Sequence, residues 1–210
     1  DAIALFENAD EVEKRALEDF ERAEADLLVA ARALNELRSS YAPQFADEVS
    51  SVMSQLEMGS AGLLCEVTML DRSQWGIFGP DRVELMFRPS NGMQPRPLSR
   101  IASGGELSRV MLAIHVIMGE KDNVSTLIFD EIDAGVGGAT ALALAEVIEQ
   151  LSQTHQVIVV THLAQVAARA EKHYVVSKHE DSGMAETVIA EISGAAREEE
   201  LARMLSGSVT

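Results

Sequence analysis

Three short stretches of this 210-residue sequence carry residue types that could do chemistry. "STLIFDE" (Ser125 to Glu131) is an apolar run that ends in two adjacent carboxylates, Asp130 and Glu131. Two acids at a strand end repel each other unless a cation or a proton relieves them, and ligands of open α/β sheets gather beyond the carboxyl ends of the strands. As a dipeptide alone, the pair reads first as a helix N-cap in a solvated loop. "QVIVVTH" (Gln156 to His162) repeats the scheme, with His162 at the tip either to donate to an anionic oxygen or to cap the following helix. The third stretch, "LSRIASGGELSRVML" (Leu98 to Leu112), sets Ser103 and two glycines before an amphipathic run. Ser103 with Glu106 is an S-x-x-E capping box. Capping alone needs no paired glycines, each of which weakens a helix by about 1 kcal/mol relative to Ala. The N–H groups of Gly104 and Gly105 are expected to stand free at the positive end of the helix, a geometry that suits a phosphate.

These stretches need elements to position them. Apolar residues at Leu107, Val110, Met111, Ile114 and Met118 mark one face of a helix after Ser103. The two apolar runs lack alternation, which fits strands buried on both faces of a parallel sheet. A Gly-rich turn, "IDAGVGGAT", leads from the first run into a helix through Leu151, and a helix from about Leu163 to Ala170 follows the second. "LLCEVTML" (Leu63 to Leu70) and "RVELMF" (Arg82 to Phe87) read as earlier strands. "HYVVSKH" and "AETVIAEI" read as two last ones about an Asp-Ser-Gly turn. "REEELARMLSG" closes as a helix with Gly207 at its end. Strands alternating with helices imply an α/β fold with a mainly parallel sheet covered by helices.

The first 38 or so residues are different. They contain no Gly or Pro, and apolar residues recur at Leu5, Ala9, Val12, Ala16, Phe20, Ala23, Leu27, Ala30, Leu34 and Leu37. Steps of three and four over a helix of about 57 Å are those of a coiled-coil seam rather than of a helix lying on a small domain. Its pairing strand is expected from elsewhere. Pro43 is expected to break this helix, with a second one from Phe45 to Met58 ending at Gly59. The organisation expected is thus a coiled-coil arm over residues 1–40 and a globular lobe over 41–210, and the start inside a helical pattern reads as part of a longer protein.

Composition narrows the classes of function. Hydrophobic content of 47% with 4% aromatics suits an α/β core of Ala, Val, Ile, Leu and Met. No apolar run reaches the eighteen residues of a membrane span, so no membrane is expected. One cysteine, Cys65, fits a reducing cytoplasm. The five histidines lack zinc-ligand spacing, and the four other than His162 read as surface or strand-end residues. A net charge of −17 counts against a broad nucleic-acid face on this chain.

The order of the motifs resembles the ABC-type ATPases. The signature motif falls at Ala102-Ser103-Gly104-Gly105-Glu106, Walker B at Leu127 to Asp130, the catalytic glutamate at Glu131 and the switch histidine at His162. Within that superfamily "PLSRIASGGELSRVMLAI", "TLIFDEIDAGVGG", "VVTHLAQVAARA" and "ELARMLSG" are similar to the SMC-like bacterial DNA-repair ATPases, over roughly residues 60 to 207. The resemblance implies the C-terminal lobe of an ABC-type P-loop NTPase head, preceded by the last strand of its coiled coil. It implies ATP and Mg²⁺ as cofactors, with Asp130 on the metal through water, Glu131 activating water and His162 on the terminal phosphate. Ser103, Gly104, Gly105 and Glu106 would meet ATP held by a second head, in trans. The partners implied are that second head in a homodimer, DNA through the assembled protein, and a lobe carrying the phosphate loop. No G-x-x-x-x-G-K-[ST] occurs in these 210 residues, so this stretch alone is expected to be inactive.

One position departs from the family. The aspartate that usually lies seven residues beyond the Walker B Asp is here Gly137; backbone groups and Asp133 remain in that turn, and no catalytic contact is assigned to the loop from the sequence. Two other functions share the motifs: the nucleotide-binding subunit of an ABC transporter, which would lack a long arm, and a non-enzymatic dimerisation module, in which Asp130, Glu131 and His162 need not be intact. Arg100 and Arg109 flank the signature and read as residues of a solvated helix face.

Overall fold

The computed structural model describes residues 2–101, 103–121, 123–181 and 184–206, and the side chains of all of these except 2–8, 120, 179–181 and 184–186. Ala102 of the signature, Ser182 and Gly183 of the last turn, Gly207 and the side chains of Leu5 and His179 lie outside the described residues. The elements in chain order are α1 (Ala2–Gln55), β1 (Gly62–Met69), β2 (Asp81–Arg88), β3 (Arg96–Pro97), α2 (Gly104–Met118), β4 (Thr126–Phe129), α3 (Ala139–Ser152), β5 (Gln156–Val159), α4 (Ala164–Arg169), β6 (His173–Asp181), β7 (Met184–Ile192) and α5 (Gly194–Ser206). They form two compact units, one of residues 1–46 with 64–86 and one of 47–63 with 87–210. Among the described residues no helix is long and apolar enough to cross a membrane.

In the first unit the long helix and the β1–β2 connection are joined by polar contacts. Asp81, its side chain fully buried, accepts from Asn35 at 2.6 Å and pairs with Arg38 at 3.0 Å. Arg38 also donates to the Phe78 carbonyl at 2.8 Å. Gly79 adopts φ +103°, and a Cβ there would stand 2.6 Å from Leu34 Cδ2, so only glycine fits this turn. Along the expected seam Val12, Phe20, Leu27 and Leu37 are exposed, Phe20 to 63%. A row of exposed apolar side chains at this spacing has the form of one strand of a coiled coil.

The expected break at Pro43 does not occur: α1 continues through it to Gln55. Proline removes one helical hydrogen bond and crowds the carbonyl four residues back, at Ser39. Both Pro43 and Ser39 are exposed, so water can serve that carbonyl. Buried residues lie on both sides of the proline, Ala42 and Ala46 close by and Val49, Val52 and Met53 beyond. Packing of such a face outweighs local propensity in most protein helices. The helix ends before Gly59, through Glu57 at φ +51° and a bond from the Met58 N–H to the Met53 carbonyl at 3.2 Å. The Glu57 carboxylate also accepts from the Thr140 hydroxyl of α3.

In the second unit β4 and β5 pair in parallel, Leu127 opposite Val157 and Phe129 opposite Val159. This pair is the parallel sheet that the strand–helix alternation implies. Helix α3 packs against α2, α4 and β5, and α4 against α5. The core is formed by Val110, Leu112 and Ile114 of α2, Leu144, Val147 and Leu151 of α3, Val166 of α4, and Leu127 and Phe129 of β4. The two strands are not buried on both faces, contrary to expectation. Leu127 and Phe129 are buried while Ile128 between them is 68% exposed, and Ile158 and Val160 are exposed too. One layer of helices covers one face, and the apolar side chains of the other meet solvent. Strands β6 and β7 form an antiparallel hairpin with Val176 opposite Ile189.

Of the histidines read as surface or strand-end residues, His155 just before β5 is buried and its Nδ1 lies 2.8 Å from the Thr154 hydroxyl. His173 opens β6, where burial pushes its imidazole below the ordinary value, Arg197 adding to that and Glu200 opposing it. Arg197 of α5 donates to the carbonyls of Ala167, Ala168 and Ala170 at the end of α4, at 3.1, 3.0 and 2.6 Å. A cation on the last carbonyls of a helix is a favourable cap.

If packing rather than local preference carries α1 through residue 43, Pro43→Ala should raise stability by about 1–3 kcal/mol. The change should appear as a higher urea midpoint at unchanged slope. A lower midpoint would mean that the pyrrolidine ring itself is required.

Candidate functional site

The β4–β5 register brings the two polar strand ends out side by side. The ladder extends one step further, with the Val160 N–H donating to the Phe129 carbonyl at 2.9 Å. Asp130 and Glu131 therefore leave β4 beside Thr161 and His162 leaving β5. The loop after β4 is a tight turn: the Ala134 N–H donates to the Glu131 carbonyl and the Val136 N–H to the Asp133 carbonyl, both at 3.0 Å. Asp130 Oδ1 accepts from the Glu131 N–H at 2.9 Å, and Glu131 sits at φ +57°. A non-glycine residue in this region is strained by a kcal/mol or so, and the surrounding bonds hold it there.

The start of α2 grips the same loop. Ser108 Oγ donates to the Asp130 carbonyl at 3.1 Å. Arg109 Nη1 donates to the carbonyls of Ile132 at 3.0 Å and Ala134 at 3.2 Å. Arg109 is thus a clamp and not a solvated helix-face residue. Burial pushes its guanidinium below the ordinary value, with Glu106 acting in the opposite direction. Arg100 is exposed, as expected.

Ser103 caps α2, its hydroxyl accepting from the Glu106 N–H at 3.4 Å, as the S-x-x-E pattern implies. The two glycines have a reason within the chain. A Cβ on Gly104 would lie 2.6 Å from Glu131 Oε2, and one on Gly105 would lie 3.0 Å from both the Glu131 carbonyl and the Ala134 Cβ. The Glu131 carboxylate therefore occupies the end of α2 where negative charge is favoured. Gly105 is buried against the loop and does not stand open as its sequence context suggested.

Asp133 joins this loop to the end of β5. It is 4% exposed, and its Oδ2 takes the Thr161 hydroxyl at 2.5 Å, the His162 N–H at 2.9 Å and His162 Nδ1 at 3.0 Å. The Thr161 hydroxyl in turn accepts from the Leu163 N–H at 3.0 Å, at the start of α4. The structure thus gathers Gly104, Gly105, Asp130, Glu131 and His162 around one loop. Sequence reasoning missed the contacts of Ser108, Arg109 and Thr161. The signal for Asp133 was its place three residues beyond Asp130 in a turn with Gly137 at the usual aspartate position.

Mg²⁺ is compatible with the donor set. Asp130 and Glu131 offer hard carboxylate oxygens, and among the described residues no group of three or more His, Cys, Asp or Glu could hold a metal ion by itself. Mg²⁺ is commonly held by one or two carboxylates completed by phosphate oxygens and water.

The chain is similar to several known proteins. No family model matches the sequence. The DNA repair protein RecN of Treponema pallidum is 42% identical over 200 residues, covering 93% of this chain and 35% of that protein. RecN of Deinococcus radiodurans is 41% identical over 192 residues, covering 91% and 33% respectively. The chain spans about a third of the length of the curated relatives it matches. Among solved structures, the Smc head domain with a coiled coil and joint from Pyrococcus yayanosii matches with a TM-score of 0.53 at 22% identity. The match covers 96% of this chain and 38% of that one, and it establishes the fold as that of an SMC-type head preceded by a long helix.

The two glycines should respond differently to substitution. Gly104→Ala meets the far end of a mobile side chain and should leave the unfolding free energy from urea titration within about 0.5 kcal/mol of the parent. Gly105→Ala meets loop backbone and should cost about 1–3 kcal/mol, as overpacking does. Equal costs at the two positions would contradict the packing described.

Proposed function

Because this chain belongs, over most of its length, to the RecN family of DNA repair proteins, we propose that it forms one half of an ATP-hydrolysing head. The other half is a lobe carrying the phosphate loop, and the complete head works in a homodimer. One observation carries this reading: Asp130, Glu131 and His162 come together at the carboxyl ends of the parallel strands β4 and β5. The open apolar face at Ile128, Ile158 and Val160 gives further support, since it offers a surface for more of the head to cover.

The positions support the following roles. Mg²⁺, when bound with nucleotide, supplies charge neutralisation across the phosphates. Asp130 at the tip of β4 orients toward that site through water. Glu131 accepts a proton from the attacking water, as a carboxylate beside the reacting phosphate can do. His162 presents its ring to the terminal phosphate oxygen. Ser103, Gly104, Gly105 and Glu106 form the helix start that meets the terminal phosphate held by the second head, in trans. In doing so that helix end exchanges the Glu131 carboxylate for a phosphate. Residues 1–40 serve as one strand of the coiled-coil arm and residues 41–210 as the lobe.

DNA is met by the assembled protein during recombinational repair. A chain with net charge −17 is poorly suited to bind the duplex itself, so that contact falls to the remaining lobe, the arms or a channel formed on assembly. The site works in the cytoplasm, at the nucleoid.

Glu131→Gln in the assembled head should cut ATP turnover by about 100-fold or more and accumulate ATP-bound dimers on size-exclusion chromatography. Unchanged turnover would remove the glutamate from the mechanism.

A further inference from the structure

We propose that Asp133 is the positioning residue for His162, holding Nδ1 so that Nε2 is the ring nitrogen offered to the site; this rests on the role given to His162 above. Asp130 and Glu131, in the same turn, are exposed, whereas Asp133 is buried. A buried carboxylate is expensive unless donors surround it. Two hydrogen-bond donors, the Thr161 hydroxyl and the His162 N–H, converge on its single oxygen Oδ2, and the His162 ring nitrogen Nδ1 lies 3.0 Å from the same oxygen, within ion-pair distance.

The His162 side chain is 73% exposed and that of Asp133 is 5% exposed. An exposed imidazole without a fixed partner would sample several rotamers and both tautomers. A carboxylate can only accept, so the ring nitrogen facing Asp133 carries the proton. The hydrogen bond at one ring nitrogen sets the state of the other. Nε2 is therefore the nitrogen left to meet substrate; a phosphate oxygen only accepts, so Nε2 bonds it as the N–H donor of the protonated ring, with Nδ1–H still facing Asp133. The same logic places an aspartate behind the histidine of hydrolytic triads. The His162 backbone N–H on the same oxygen fixes the start of the side chain as well as its tip. Because Asp133 is carried by the turn that also contains Asp130 and Glu131, one rigid loop registers the histidine against both carboxylates.

Two measurements test this. In the 210-residue chain, with ¹⁵N-labelled histidine, the neutral His162 ring should show the Nδ1–H tautomer. Asp133→Ala should convert it to the mixed or Nε2–H form, Asp133→Asn should retain part of the parent signature through its remaining acceptor oxygen, and Thr161→Val should leave it in place. In the assembled head, Asp133→Ala should lower kcat by about ten- to a hundredfold, the range seen when the partner orienting an imidazole is lost, with ATP affinity held within about twofold. Thr161→Val, which removes a donor but keeps the Asp133–His162 pair, should retain most of the turnover and so separates ring positioning from general folding. The double variant Asp133→Ala/His162→Ala should be no slower than His162→Ala alone. Multiplying losses in the double variant, or an unaltered tautomer in Asp133→Ala, would overturn the proposal while leaving the ATPase reading intact. Full turnover in His162→Ala would instead overturn the role of His162 itself, and the positioning role with it, even where the tautomer depends on Asp133.

Discussion

A carboxylate taken out of water, bonded through one oxygen to the Thr161 hydroxyl and the His162 N–H and with the His162 ring nitrogen 3.0 Å away, sits at the centre of this structure. Asp133 is tolerated in its buried position because Thr161 and His162 supply those donors. Their own place is set by the parallel ladder from Thr126 opposite Gln156 to Phe129 opposite Val159. The bond network is reciprocal: the loop after β4 is shaped by the end of β5, and the end of β5 by the loop. Removing one member leaves the others with unsatisfied polar groups in partly buried surroundings, which costs more than the bond itself contributes.

The other side of the loop is held by the start of α2. Ser108 and Arg109 supply donors to its carbonyls, while Gly104 and Gly105 supply space. Glu131 is thereby kept in a left-handed conformation that few side chains adopt, with its carboxylate at a helix N-terminus. Strain of this kind persists only where neighbouring structure over-determines it, and here bonds from two directions do so. The helix start that is expected to meet phosphate is thus already matched to an anion of this chain. Exchange of one anion for the other is a small rearrangement of a side chain, compatible with a site that closes and reopens.

Much of this was legible from residue order. Apolar runs ending in polar tips located β4 and β5, the S-x-x-E pattern located the start of α2, and the residues before Pro43 without Gly or Pro located the first part of α1. What escaped reading depends on partners distant in sequence. Arg109 looks like any cation on a helix surface until the Ile132 and Ala134 carbonyls are placed against it. Asp133 looks like a turn residue until Thr161 and His162 arrive from 28 and 29 residues away. Pro43 misled because local preference was weighed without the buried residues flanking it. The apolar runs of β4 and β5 suggested burial on both faces, but a run without alternation says only that both faces are apolar. Whether both are covered depends on which layers the rest of the fold supplies.

The account stands on a nucleotide site assembled at the ends of β4 and β5 from this chain and others. A structure of the assembled head with Mg²⁺ and a non-hydrolysable ATP analogue tests it most directly. The terminal phosphate should lie within hydrogen-bonding distance of His162 Nε2 of one chain and of the Ser103–Gly104 helix start of its partner, with His162 Nδ1 still on Asp133. A phosphate bound away from these strand ends, or contacted by neither His162 nor the partner's α2, would contradict it.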